Sequence, residues 1–266
     1  MHNNDQTIII GALTLGLRCE RAALAAALRQ RYGAFLGGGD VAPQLVVSVA
    51  LGAPQPMPEA VERAGARARV AGPGMVGQID LAQGQATLCA APGFALGAVE
   101  QLLRVACAML AFEAGGLLVH GAAVASGPRG HLFLGPSGAG KTTVARNSPG
   151  RRVLNDDLAL LWPAQDGWKI VATPFSNPTQ VAPSGPGQAP LAALHHLVQA
   201  HQVARTPMGA AVAVAALAAR VPLVGADPAR GAALLRRAGA ICAIVPSYYL
   251  HFLPDPSFWH AVEPAP

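Results

Sequence analysis

A mixed α/β fold with a partly antiparallel sheet is what the sequence predicts, and three observations predict it. Short β-rich runs separated by Gly and Pro crowd the first third of the chain. Apolar residues recur at helical spacing in several longer segments. Two apolar strands joined by a tight turn run straight into the glycine-rich loop Gly135, Pro136, Ser137, Gly138, Ala139, Gly140, Lys141, Thr142. At 266 residues the chain can bury one sizeable core with a smaller appended layer. The expected division is a small N-terminal α+β appendage over 1–92 and a main domain over 93–266, with 93–116 as a connecting helix.

Each element has its own reason. Residues 7–19 alternate weakly and read as a strand, and 21–32 carry apolar residues at helical spacing up to Gly33. The runs 44–51, 66–71, 75–81 and 86–90 are short and β-rich, which suggests an antiparallel sheet with tight turns. Over 94–114, Leu102, Leu103, Val105, Ala106, Met109 and Leu110 make a broad helical face that stops at Gly115 and Gly116. The strands 117–125 and 131–134 are linked by a turn short enough for an antiparallel hairpin. Beyond the loop, a short helix over 142–146 ends at Pro149 and Gly150, and a strand over 153–162 is interrupted by Asn155, Asp156 and Asp157. Strands at 169–173, 191–198 and 248–252 and alanine-rich helices at 208–219 and 228–240 complete the chain, with no internal repeat.

Composition excludes several classes. With 52% hydrophobic and 12% charged residues, apolar burial can offset the entropy of ordering, so the chain is not disordered. A membrane span needs about 20 nearly uncharged apolar residues. The run 208–219 is too short, and 94–110 carries Glu100 and Arg104. Met1, His2, Asn3, Asn4 and Asp5 open the chain without the basic and apolar pattern of an export signal, so a cytoplasmic location is expected. Cys19, Cys89, Cys107 and Cys242 lack paired spacing and read as buried, reduced core residues. The net charge of +5 comes from arginines scattered without interleaved aromatics, which points to a solvated basic surface rather than a nucleic-acid partner. The oligomeric state is left open.

A loop of the form Gly-x-x-x-x-Gly-Lys-Ser/Thr turns backbone N–H groups around the phosphates of a nucleotide, with a helix N-terminus behind them. Here it spans Gly135 to Thr142 with Thr143 next in line. Lys141 would bridge the β- and γ-phosphates and the Thr142 hydroxyl would hold Mg²⁺. Lys141 and Lys169 are the chain's only lysines, which makes an accidental match improbable. Asp156 and Asp157 could divide two tasks, one anchoring Mg²⁺ and the other taking the proton of an attacking hydroxyl. Either could equally cap a turn. His120 sits on the strand before the hairpin, although a lone His on an apolar strand is more commonly a core residue. Arg146, Arg151 and Arg152 could steady phosphates or face solvent, and the segment 173–176 could border an acceptor site or make a turn. His195 and His196 have no third metal ligand at useful spacing.

His120 and Gly121 on one strand, Gly135 to Thr142 after the next, then Asn155, Asp156 and Asp157, resemble in order and spacing the catalytic core of HPr serine kinase. The match covers about 117–173, and the ending Tyr249 to Trp259 is similar to shorter HPr-kinase-related proteins. The resemblance implies a fold related to phosphoenolpyruvate carboxykinase, with ATP and Mg²⁺ as cofactors. Lys141, Thr142, Asp156, Asp157 and His120 would form the catalytic group, one aspartate serving as base towards a serine hydroxyl. The Glu-x-Arg-Gly segment of HPr kinase/phosphorylase has no counterpart here. Related kinases modify ribosomally made peptides such as lasso peptides at a C-terminal serine, so the resemblance implies a Ser/Thr kinase acting on a peptide or small protein. A non-catalytic ATP-binding regulator and a small-metabolite kinase are the alternatives.

Overall fold

Gly11, with φ +61°, lets residues 7–19 fold back on themselves rather than run as the one strand expected. The result is a hairpin of β1 (Gln6–Ile10) and β2 (Leu13–Cys19), with Ile10 opposite Leu13 across a two-residue turn. The computed structural model describes residues 5–38, 41–176, 181, 183–222 and 228–263; Met1 to Asn4 of the N-terminal stretch lie outside that set. Two compact units divide after Ala114.

In the first unit, α1 (Ala22–Tyr32) leads to β3 (Leu45–Leu51), and then come β4 (Ala60–Ala64), β5 (Arg67–Gly72), β6 (Met75–Asp80), β7 (Gln85–Ala90) and α2 (Ala95–Glu113). The seven strands form one sheet in the order β1-β2-β3-β7-β6-β5-β4. It is mixed, not purely antiparallel as expected: β3 runs parallel to both β2 and β7. Helix α1 makes the crossover that parallel pairing of β2 and β3 requires. Strand β4 escaped the sequence reading because Glu62 and Arg63 break the apolar alternation, as an edge strand tolerates.

Helix α2 lays Val99, Leu102, Leu103, Ala106 and Met109, all fully buried, on this sheet and on α1. Each large side chain contributes about 1.5–3 kcal/mol by leaving water. That packing groups α2 with the first unit, so the compact units part after Ala114, whereas the expected domain boundary lies at 92/93. Residues 92–113 are long and apolar enough to cross a bilayer, and 67% of the most apolar window is buried. Glu100 on α2 is held by Arg31 and Arg104.

The second unit contains β8 (Leu117–His120), β9 (Ala122–Ser126), β10 (Arg129–Leu134), α3 (Lys141–Arg146), β11 (Arg152–Asn155), β12 (Leu158–Ala164) and β13 (Gly167–Val171). After these come β14 (Gln188–Gln199), β15 (Ala204–Pro207), α4 (Ala210–Ala218), α5 (Pro228–Ile244), β16 (Ser247–Phe252) and α6 (Trp259–Val262). Nine strands make its sheet, in the order β11-β9-β10-β14-β13-β12-β8, with β16 pairing β14 and β15 pairing β16. The expected hairpin of β9 and β10 is present, and β10 also runs parallel to β14. The run 117–125 divides at Gly121: β8 pairs with β12, whereas β9 pairs with β10 and β11. The protein is therefore a mixed α/β chain with two mixed sheets.

Phe133, Val144, Leu197, Leu250, Phe252, Phe258 and Trp259 form the core beneath the glycine-rich loop. Edge-to-face contacts of Phe133 with Phe258 and Trp259 add about 0.5–1.5 kcal/mol each to their area burial. Cys19 and Cys107 are buried and Cys89 and Cys242 are half-buried; all four are free.

Candidate functional site

Asn155, fully buried at the end of β11, sets the geometry of the site. Its Nδ2 donates to the carbonyls of Thr173 (3.1 Å) and Phe175 (2.6 Å) and to the Thr173 hydroxyl (3.0 Å). Its Oδ1 accepts from the backbone N–H groups of Asp157 and Leu158, both at 2.7 Å. Five bonds on one short side chain impose a tight Asx-type bend between β11 and β12. Side chains on a regular strand alternate faces, and this bend suspends the alternation at Asp156 and Asp157. Thr173 is thereby a structural anchor of the bend, and Phe175 supplies it a carbonyl.

The two aspartates then diverge. Asp156 is 1% exposed; one oxygen accepts from Val181 N–H at 2.9 Å, the Thr142 hydroxyl is close enough to favour the charged carboxylate, and Oδ1 is buried with no hydrogen-bond partner among the described residues. Burial raises its pKa above the ordinary carboxylate value, against the lowering by Val181 and Thr142. Asp157 lies 3.2 Å from Nε2 of His120, whose side chain is 48% exposed. The backbone fixes this pairing: His120 is opposite Leu158 in the β8–β12 ladder, and Gly121 N–H donates to the Asp157 carbonyl at 2.9 Å. His120 is thus no core residue.

The loop begins where β10 ends. Pro136, Ser137 and Gly138 are exposed, Ala139, Gly140, Thr142 and Thr143 are half-buried, and Lys141 is 8% exposed. Gly138 and Gly140 take φ of +79° and +105°, and a Cβ on Gly140 would stand 2.4 Å from the Phe252 ring. Gln199 at the end of β14 steadies the loop by donating to the Gly138 carbonyl at 2.8 Å. Lys141 Nζ folds back to the carbonyls of Gly135 (3.2 Å) and Pro136 (3.0 Å). Its pKa is lowered by burial first and by Arg220 second, with Asp157 acting the other way. Helix α3 has only six residues, so its dipole is short.

Arg220, just past α4, was not foreseen. Its Nη1 lies 3.4 Å from the Gly135 carbonyl, and its own carbonyl accepts from His120 N–H at 2.7 Å. No local pattern marks it, because a single arginine after an alanine-rich helix meets the loop only through the tertiary fold. The arginines that the sequence offered lie elsewhere: Arg146 is exposed, Arg152 donates to the Pro186 carbonyl, and Arg151 lies 3.9 Å over the Trp259 ring and 3.4 Å from Glu263.

His195 is fully buried and stacks between Phe133 and Tyr248, its Nε2 3.2 Å from Nδ1 of His131, whose Nε2 lies 3.5 Å from Glu263. His196 meets Tyr249 edge-on. Among the described residues no three His, Cys, Asp or Glu side chains are gathered for a metal ion. No family model and no curated protein matches this chain.

Proposed function

We propose that the second unit is an ATP-dependent phosphotransferase of the HPr kinase type, passing the terminal phosphoryl group to a hydroxyl of a peptide or small protein. The observation that carries this is the Asn155 bend, which brings Asp156 to Thr142 of the loop and Asp157 to His120. The mixed sheet and the hairpin ahead of the loop agree with a kinase related to phosphoenolpyruvate carboxykinase. ATP supply puts the working protein in the cytoplasm.

The residues fit Mg²⁺. Asp156 Oδ1, buried without a hydrogen-bond partner among the described residues, and the Thr142 hydroxyl near that carboxylate are hard oxygen donors of the kind that ion takes. Bound there, Mg²⁺ would neutralise charge on the nucleotide phosphates. Lys141 and the loop N–H groups of Gly135 and of Ser137 to Thr143 hold the phosphates, with Pro136 shaping the turn between them. Asp157, oriented by His120, accepts the proton of the acceptor hydroxyl. As that proton leaves, the acceptor oxygen forms a bond to the γ-phosphorus, and the bond to the bridging oxygen breaks with its electron pair departing on ADP.

Incubation of the protein with γ-labelled ATP, Mg²⁺ and candidate serine-ended peptides, beside Lys141→Ala, tests the proposal. Lys141-dependent label on a peptide is the expected result. Label on a low-molecular-weight acceptor would select a metabolite kinase instead, and tight ATP binding without transfer to any acceptor would select a regulator.

A further inference from the structure

Several arginines of this protein have acidic partners. Arg31 and Arg104 share Glu100, Arg63 pairs with Glu113, Arg67 with Asp80 and Arg151 with Glu263. Arg220 has no acidic partner among the described residues. It is half-buried, its Nη1 makes one long contact with the Gly135 carbonyl, and its Nε is buried with no hydrogen-bond partner among the described residues. The same carbonyl oxygen takes the Lys141 ammonium, so two cations converge on one neutral acceptor.

Like charges crowded into a half-buried place cost free energy, and the cost shows on both neighbours. Arg220 contributes to lowering the pKa of Lys141 and of His196, in each case after burial. Such a cluster is complementary to an anion of phosphate size. A guanidinium presents a planar fork of donors that matches two phosphate oxygens at once, which an ammonium cannot do.

Position within the site narrows the anion further. The carbonyl of Arg220 is tied to the N–H of His120, whose ring faces Asp157, and its guanidinium reaches Gly135 at the start of the loop. The Arg220 guanidinium therefore touches the loop at the carbonyl that Lys141 also reaches, and its backbone is tied to the strand that carries His120 of the pair that handles the acceptor hydroxyl. A phosphate held at the loop end nearest that pair is the one transferred.

We infer that Arg220 clamps the terminal phosphoryl group of the nucleotide and so makes the site select triphosphate over diphosphate. This rests on the phosphate-binding reading of the loop. It extends the site to a residue no motif marks, with a clear split in its consequences: contacts to the terminal phosphate strengthen ATP binding and leave ADP binding alone.

Calorimetric titration of native protein, Arg220→Gln and Arg220→Lys with ATP and with ADP, each with Mg²⁺, tests this, alongside the unliganded melting temperature of each. Glutamine can still donate to the Gly135 carbonyl but lacks the charge and the fork. Its ATP affinity is expected to fall about 10- to 100-fold, the scale of hydrogen bonds to a charged group, with ADP affinity and melting temperature nearly unchanged. The lysine variant is expected to fall between the two. An equal loss for ATP and ADP, or an ATP affinity like that of the native protein, would overturn the clamp while leaving the loop reading intact. Should the glutamine variant fail to fold, a native ATP-to-ADP ratio in the lysine variant overturns it. A native protein that binds neither nucleotide overturns both.

Discussion

Strand β10 serves two buried polar clusters that differ in kind. At its end, Gly135 opens the loop where Lys141, Arg220, Asp156 and Asp157 gather; near its start, His131 joins His195 and Glu263. The first cluster holds unbalanced groups, with two cations on one carbonyl and a buried carboxylate oxygen lacking a hydrogen-bond partner. The second also holds unpartnered atoms, His131 Nε2 and His195 Nδ1, but its one carboxylate, Glu263, is matched by Arg151 and Ser126. His195 Nδ1 has no partner, which is cheapest if it carries a lone pair, so the proton belongs on Nε2 and points to His131 Nδ1. His131 then carries its proton on Nε2, 3.5 Å from Glu263 without a hydrogen bond to it, while Ser126 and Arg151 hold that carboxylate. The lesson of the pair is that burial of polar groups marks a site only where their charge is left uncompensated inside the protein.

This contrast fixes which substitutions touch function and which touch stability. The largest effect is expected from Asp157→Asn, which keeps the shape of the side chain and removes the proposed proton acceptor. Transfer should slow about 10²- to 10⁴-fold in single-turnover assays, with ATP affinity and urea stability close to native. A variant that transfers normally but unfolds easily would make this cluster structural and erase the distinction. Asn155→Ala comes next, because it orphans several buried backbone groups together. A stability loss of about 3 kcal/mol or more by urea titration is expected, with transfer failing too because both aspartates lose their placement.

Those two positions also show what the sequence could and could not reveal. The loop spacing from Gly135 to Thr142 is local, so it was legible, and so was the bend hinted at by Asn155, Asp156 and Asp157 between strand-like residues. The role of Asn155 as the clasp was not, because its partners at Thr173 and Phe175 come from a distant turn. Arg220 and His131 were invisible for the same reason: each meets its cluster through sheet pairing or a helix end, and neither sits in a periodic or motif position. In the first unit, strand existence was readable from alternation, but direction was not. The parallel pairs of β3 depend on where the crossovers run, and the β1–β2 turn hinged on a single Gly11.

The third test returns to the loop. Gly140→Ala would force a side chain into left-handed backbone and against the Phe252 ring. A cost of about 1–3 kcal/mol is expected in thermal or urea unfolding. Nucleotide affinity should drop with it, since the loop amides would shift. Unchanged affinity would mean that the loop backbone is not what grips the phosphates.

The smallest expected effect belongs to the compensated cluster and appears only in acid. Burial depresses the basicity of His195 well below the ordinary value, and that of His131 to about 4, with Arg129 and Arg205 adding to the lowering and Glu263 opposing it at His131. In the unfolded chain both rings titrate near 6.5. Below that pH the unfolded state binds protons that the folded state refuses, so stability present at neutral pH is lost as pH falls from about 6.5 towards 4. The slope should reach at most about 1.4 kcal/mol per pH unit for each histidine. At His131 the loss should level off near pH 4, where the folded protein takes the proton itself. His195→Phe keeps the ring stack between Phe133 and Tyr248 and removes one titrating group. Urea unfolding of this variant should therefore be less acid-sensitive over that window, with transfer at neutral pH close to native. An acid profile identical to the native one would show that His195 takes its proton as readily in the fold as in the unfolded chain, and the division between a compensated cluster and an open site would fall.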